Sequence, residues 1–150
     1  MKAIHLIAPS GASLDDKSPL AGIDWLKRQG IAIANAECVQ RVHERFAGSD
    51  EVRLNELNNL TTLNSQALVM AMRGGYGIHR LLPNIDWAGI SKAVASGLQI
   101  CGHSDFTTFQ LGLLVGLLSA VLCAYAAYTH NFALLTLATL IAGYYSANGQ

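Results

Sequence analysis

The sequence has no excess of charge of either sign, and one end of it has no charge at all. Ten Lys and Arg residues balance ten Asp and Glu residues in a chain of 150 residues. A protein that binds nucleic acid or an anionic membrane surface usually shows a basic excess, so the balance argues against both partners. All twenty charged residues lie between Lys2 and Asp105, and none follows from Phe106 to Gln150.

The sequence has few cysteines, and its first residues do not form a secretory targeting signal. Cys38, Cys101 and Cys123 are an odd number at unrelated spacings. They form neither a disulfide framework nor a zinc motif, and they fit a reducing compartment. The apolar stretch over residues 3–8 ends at Pro9. This stretch is too short for a secretory signal, and it favours a first strand.

The charge-free end contains two apolar runs separated by a polar break at residues 129–131. The first, from Leu111 to Tyr128, reaches the length of about 18 residues that a membrane-spanning helix needs. The second, over residues 132–145, is short for a span and equally typical of a buried helix. We therefore expect an apolar helical tail, with membrane contact through residues 111–128 as one alternative.

Before the tail, short apolar stretches alternate with stretches of helical period. The pattern predicts strands over residues 3–8, 31–36 with 38–39, 67–72 and 98–101, and helices over residues 19–29, 51–63 (with Asp50 as N-cap) and 78–82. Such alternation is typical of an α/β fold, with a mostly parallel sheet flanked by helices.

In such a sheet, ligands and catalytic groups lie at the carboxyl ends of the strands. Gly102, Ser104 and a following helix give the layout of a nucleophile elbow, in which a sharp turn projects the serine hydroxyl above the sheet. The second glycine of the G-x-S-x-G pattern is missing. On spacing alone, Ser104 and Asp105 could instead simply cap the helix.

A glycine turn, Arg73-Gly74-Gly75-Tyr76-Gly77, follows another predicted strand. Its backbone N–H groups could approach an anion, or the glycines could serve a tight turn that needs positive φ. No Gly-Lys-Ser/Thr follows and no G-x-G-x-x-G is present, so dinucleotide binding is disfavoured.

Four segments in this order resemble one family: HLIAPSG, ERFAGSDEVRLNELNNL, MAMRGGYGIHRLLPNIDW and ICGHSDFTTFQLGLL. They resemble the N-terminal half of the L,D-carboxypeptidases, serine peptidases also called muramoyltetrapeptide carboxypeptidases, whose relatives include microcin C self-immunity peptidases. The resemblance covers about residues 3–114. It implies an N-terminal α/β domain over residues 1–114 and a tail over 115–150 that does not match the family.

The resemblance implies a cytoplasmic hydrolase that releases the terminal D-alanine from murein tetrapeptides during cell-wall (peptidoglycan) recycling. Ser104 matches the nucleophile of a Ser–His–Glu triad. The N–H of Asp105 and one from Gly74 or Gly75 match the oxyanion hole. Arg73 could bind a substrate carboxylate or play an ordinary ion-pair role. No metal or cofactor is implied.

In the family, the triad His and Glu come from a second domain, which this sequence does not show. No Glu follows Glu56, and nothing around His130 matches the family. His79 and His103 are interpreted as structural, and Cys101 as a core thiol. We therefore expect a truncated or frameshifted chain with little activity alone, because a serine without a base is a poor nucleophile.

Two other interpretations stay open. The chain could be a non-catalytic muropeptide-binding half-domain tethered to a membrane by its tail, or an enzyme completed in trans by another chain. The choice between murein peptides and the peptidyl nucleotides of microcin C-type antibiotics also stays open, and so does a homodimer.

Overall fold

The computed structural model describes residues 3–15 and 17–128, together with the isolated positions 136 and 140. The strands are β1 (Ile4–Ile7), β2 (Ile33–Ala34), β3 (Leu68–Ala71) and β4 (Gln99–Cys101), and the helices are α1 (Lys17–Arg28), α2 (Asp50–Asn58), α3 (Trp87–Ala95) and α4 (Phe106–Tyr128). The strands form one sheet in the order β2-β1-β3-β4, and every neighbouring pair is parallel. The predicted α/β architecture is confirmed.

Both faces of the sheet are buried, as β3 shows most clearly. Val69 and Ala71 belong to a core that also contains residues of α2, α3 and α4. Leu68 and Met70 pack against a second core, which includes Ile23 of α1. Successive strand residues point to opposite faces, so a strand covered on both sides is apolar throughout. This explains the unbroken apolar run at residues 67–72.

Helix α2 is attached to the end of β1 by two buried charged side chains. Glu56 is 8% exposed and accepts a hydrogen bond from the Ala8 N–H at 2.7 Å. Arg53 is fully buried and donates through Nη1 to the Pro9 carbonyl at 2.7 Å. Residues three apart lie on the same face of a helix, so both charged side chains reach the backbone that follows β1.

The Glu56 carboxylate also collects donors from the segment after β2. Its Oε1 accepts from Asn35 Nδ2 at 2.8 Å and from Arg41 Nη2. A buried charge is costly unless it is paired and hydrogen-bonded, and here three donors satisfy it. Glu56 therefore links β1, α2 and the chain after β2.

The N-terminus of α2 differs from the prediction by one residue. The Ser49 hydroxyl accepts from the Val52 N–H at 3.3 Å and caps the helix, so the prediction of Asp50 as N-cap was wrong. Asp50 is the first helical residue, and its carboxylate pairs with Arg53 and Arg80.

Other segments also depart from the prediction. Residues 78–82 form no α-helix but a 3₁₀ turn, Ile78–Arg80, after Gly77 at φ 132°. A second 3₁₀ turn, Leu82–Asn84, contains Pro83, which cannot donate a helical hydrogen bond.

The predicted strand residues 38–39 lie instead in another 3₁₀ turn, Ala36–Gln40. The long helix over 51–63 ends as α2 at Asn58, with a 3₁₀ turn over 59–62.

Helix α4 begins as part of the domain core. Phe106 and Phe109 are fully buried, and Gly112 lies so close to the Trp87 ring that a Cβ would come within 2.6 Å of it. Its outer side exposes a series of apolar residues: Leu111, Leu114, Leu118, Val121, Tyr125 and Tyr128. The predicted division between residues 114 and 115 falls within α4 and stays a prediction.

A membrane-spanning helix over residues 111–128 is not supported. Among the described residues, no helix has the length and apolar character that crossing a membrane requires. One face of the first turns of α4 is committed to packing against α3 and the sheet. The second apolar run lies outside the described residues, apart from positions 136 and 140.

We predict that Glu56→Gln destabilises the fold by about 2 kcal/mol, because the charge that the buried donors share is lost. Glu51→Gln is the matched control, since Glu51 is exposed in the first turn of the same helix. Urea unfolding of both variants measures the difference. Equal stability of the two variants would contradict the role given to Glu56.

Candidate active site

Ser104 lies in the tight turn between β4 and α4. Its φ is 59°, a left-handed conformation that non-glycine residues rarely adopt and that costs free energy. The Ser104 carbonyl accepts from the Thr107 N–H at 2.9 Å, which ties the turn to the first turn of α4. The side chain is exposed. Strand, strained serine and helix therefore have the arrangement of a nucleophile elbow.

The packing of Phe106 explains the missing second glycine. A Cβ on Gly102 would lie 2.2 Å from Phe106 Cδ1 and 2.9 Å from the Ala71 Cβ. Phe106 itself is fully buried and stacks on Phe109, with ring centroids 5.0 Å apart. The close strand–helix approach is therefore made by Gly102, while the position of the second glycine holds a core residue.

Gly74 of the glycine turn lies directly against Ser104. A Cβ at residue 74 would come within 2.5 Å of the Ser104 Cβ, 2.8 Å of its Oγ and 3.2 Å of the Asp105 N. The turn therefore reaches the serine because residue 74 has no side chain, and the two segments singled out from the sequence meet.

The loop after β1 completes the arrangement. The Gly11 N–H donates to the Gly74 carbonyl at 3.3 Å, and a Cβ on Gly75, whose φ is 129°, would lie 3.0 Å from the Gly11 N. The Asp105 carboxylate accepts from the Ile78 N–H at 3.2 Å and so fixes the far end of the glycine turn.

Arg73 contacts the loop after β1, and the substrate-binding alternative for it stays a prediction. Its Nη1 donates to the Ala12 carbonyl at 2.6 Å, and the side chain is half-buried. The guanidinium thereby links the glycine turn to the loop after β1, a structural role that the sequence pattern did not indicate.

No described residue activates the serine. Among residues 3–15 and 17–128, none forms a hydrogen bond with the Ser104 hydroxyl. His103 is exposed, and the His79 ring packs against Tyr76 with centroids 4.5 Å apart. His130 lies outside the described residues.

Of the two described cysteines, Cys38 is buried and Cys101 is partly buried. Burial raises the pKa of Cys38 to about 12, with the nearby Glu56 carboxylate adding to the effect. Burial also raises the pKa of Cys101, whose Sγ lies 3.4 Å from the Val69 carbonyl. Burial thus disfavours the thiolate form of both side chains. Within the described part of the chain, no three His, Cys, Asp or Glu side chains are grouped to hold a metal ion.

An open cavity of about 750 Å³ lies between β1 and α2, away from the residues predicted from the sequence. Its lining includes His5, Asn35, Arg41 and Glu56 but neither Ser104 nor any residue of the glycine turn. Size alone does not identify the site, since the strained serine lies elsewhere.

The structural roles of Arg53 and Glu56 were missed in the sequence analysis, because the residues that they bind are distant in sequence.

The family comparison agrees with this geometry. Residues 4–121 match the LD-carboxypeptidase N-terminal domain. The chain belongs to this family. The murein tetrapeptide carboxypeptidase of Pseudomonas aeruginosa is 32% identical over 104 residues, which are 69% of this chain and 33% of that protein. This member of the LD-carboxypeptidase family therefore spans about a third of the length of that relative.

Solved structures extend the likeness to the fold. The muramoyltetrapeptide carboxypeptidase of Oxalobacter formigenes superposes with a TM-score of 0.60 and 38% identity, covering 73% of this chain and 36% of that one. The wild-type apo microcin C7 self-immunity protein has a TM-score of 0.65 but 24% identity, covering 76% and 34%. The second likeness shows the fold alone.

We predict that Gly74→Ala destabilises the protein by about 1–3 kcal/mol, because the new methyl group overlaps Ser104. Gly22→Ala is the control, since nothing lies within 4 Å of a Cβ at residue 22 and alanine is the better helix former. Urea unfolding should therefore move the two variants in opposite directions. A Gly74→Ala chain as stable as the wild type would disprove the contact.

We also predict that Ser104→Gly is about 1 kcal/mol more stable than Ser104→Ala, because only glycine accepts a φ of 59° without strain. Ser96 provides the comparison, since its φ is −82° and alanine should be the more stable substitution there. Thermal or urea unfolding of the four variants measures both differences. The same order at both positions would argue against strain at Ser104.

Proposed function

We propose that this chain is the nucleophile-bearing part of a serine-type L,D-carboxypeptidase that releases the terminal D-alanine from murein tetrapeptides. The observation that carries the proposal is the strained, exposed Ser104 at the tip of a strand–turn–helix, with Gly74 packed against it. The 32% and 38% identities to two murein-peptide carboxypeptidases favour this substrate class. The immunity-protein substrate has weaker support, since that likeness is one of fold.

The proposed chemistry begins with attack of the Ser104 Oγ on the carbonyl carbon before the D-alanine. The tetrahedral intermediate collapses with cleavage of the peptide bond, the amine of D-alanine takes a proton as it leaves, and water hydrolyses the resulting ester. A base must accept the serine proton and return it to the amine. That base and its carboxylate partner are expected outside the described residues.

Two backbone donors are proposed for the oxyanion. The Asp105 N–H lies at the start of α4, beside the space that Gly74 leaves free. The Gly74 carbonyl is directed at the Gly11 N–H, and the two ends of a trans peptide point in opposite directions. The Gly75 N–H therefore points away from Gly11, which favours it as the second donor. Preorganised donors of this kind stabilise developing negative charge.

A non-catalytic muropeptide-binding role is the second candidate. It is favoured by the exposed Ser104 hydroxyl, to which no described residue offers a base. The tether to a membrane that accompanied this alternative has no support in the described residues.

We predict that the 150-residue chain alone releases D-alanine from a murein tetrapeptide at least about 1,000-fold more slowly than an intact triad enzyme, because no described residue is placed to act as the base. The residual rate should fall further in Ser104→Ala but not in Ser96→Ala. Quantifying free D-alanine by chromatography measures all three rates.

The outcomes separate the candidates. Slow release that depends on Ser104 supports the peptidase part. Peptide binding without any release supports the binding role. Release at an ordinary enzymatic rate would show that the chain is complete in function, and absence of both binding and release would overturn the proposal.

A further inference from the structure

Beside the glycine turn, one aromatic ring is surrounded by three guanidinium groups. Phe46 is 4% exposed, and the Cζ atoms of Arg53, Arg45 and Arg80 lie 4.5, 5.0 and 5.4 Å from the centre of its ring. Each distance is within the range of a cation–π interaction. The cluster concentrates positive charge on one side of residues 73–77.

Two of the three arginines at this cluster share one carboxylate partner. Arg53 and Arg80 both pair with the carboxylate of Asp50. Arg45 forms no ion pair among the described residues, and its side chain is exposed. The cluster therefore leaves a positive charge at Arg45 that is accessible from solvent.

Arg45 is held in place by ring faces rather than by a carboxylate. Its Cζ lies 5.1 Å from the centre of the Tyr76 ring as well as 5.0 Å from that of Phe46. Stacking on aromatic faces orients a guanidinium but leaves its N–H donors free at the edge. Tyr76 is 54% exposed, so this edge lies at the surface. Such a fork matches the two oxygens of a carboxylate.

Backbone contacts connect Arg45 to the serine. The Arg45 carbonyl accepts from the Ala12 N–H at 3.0 Å, next to Gly11, whose N–H donates to Gly74. Gly74 in turn lies against Ser104. Since the Arg45 guanidinium lies over the ring of Tyr76, both it and Ser104 contact residues of the same glycine turn.

We propose that Arg45, oriented by Tyr76, binds a carboxylate of the peptide substrate that lies away from the bond to be cleaved. The inference rests on the proposed function for its choice of a peptide ligand. It gives Arg45 a recognition role of the kind that the sequence offered for Arg73, whose Nη1 donates to the Ala12 carbonyl.

The test measures binding to the full 150-residue chain carrying Ser104→Ala, so that no turnover occurs. The probes are a synthetic murein tetrapeptide and forms of it in which one carboxylate at a time is replaced by a carboxamide. Calorimetry or NMR titration gives each dissociation constant. Arg45→Ala is compared with Lys92→Ala, which removes one positive charge from an exposed position on α3.

We expect Arg45→Ala to weaken binding of the tetrapeptide about tenfold, as for the loss of a charge-assisted hydrogen bond. One carboxamide form should bind equally well to the chain that retains Arg45 and to the chain with Arg45→Ala. The position of its carboxamide identifies the carboxylate that Arg45 binds. Arg45→Lys should retain part of the affinity, and Lys92→Ala should retain nearly all of it.

Three results would overturn the inference: equal weakening of every peptide form, the same loss in Lys92→Ala, or no binding of the tetrapeptide at all. Its failure is distinct from failure of the proposed function, which is measured by release of D-alanine that depends on Ser104. If the effect of Arg45→Ala depends on one carboxylate of the peptide but no D-alanine is released, the inference about Arg45 stands and the catalytic role of Ser104 is ruled out.

Discussion

The candidate site depends on the two buried charges of α2. Arg53 and Glu56 do not pair with each other; they bind the Pro9 carbonyl and the Ala8 N–H at the end of β1. A buried charge that loses its partner is strongly unfavourable, so the backbone at residues 8–9 is confined to one position. From there the contacts pass through Gly11 to the glycine turn and then to Ser104.

This support is made of backbone and glycine rather than of large side chains. The Gly74 carbonyl binds the Gly11 N–H, and the Asp105 carboxylate binds the Ile78 N–H. Such contacts allow three loops to approach more closely than side chains would permit. A site that stabilises charge with peptide N–H groups needs this closeness, because the donors must lie within hydrogen-bond distance of the reacting oxygen.

The sequence predicted the parts of this arrangement that are encoded locally. The apolar run of β3 identified a strand buried on both faces, and Gly102 with Ser104 identified the turn before α4. Helix α3 was missed. Its signal is the cap at Asp86, which accepts from the Gly89 N–H, in a segment that contains a glycine and β-branched residues. The short length of β2 was not foreseen either.

The roles of Arg53, Glu56 and Arg45 could not be predicted in the same way. Their partners are distant in sequence: Glu56 binds Ala8, and Arg45 stacks on Tyr76. No periodicity or spacing encodes such contacts, which exist only once the sheet has formed. Arg73 gives a further example, since its Nη1 donates to the Ala12 carbonyl, a contact that no local pattern encodes.

The contact between Gly74 and Ser104 also bears on how relatives of this chain should be interpreted. One methyl group at the position of Gly74 would fill the space over the hydroxyl while every residue of the GHSD segment stayed unchanged. A lineage could thus lose hydrolysis through a change some thirty residues from the nucleophile in sequence. An intact serine motif is therefore not sufficient grounds for assigning catalysis; the glycine that faces it has to be present as well.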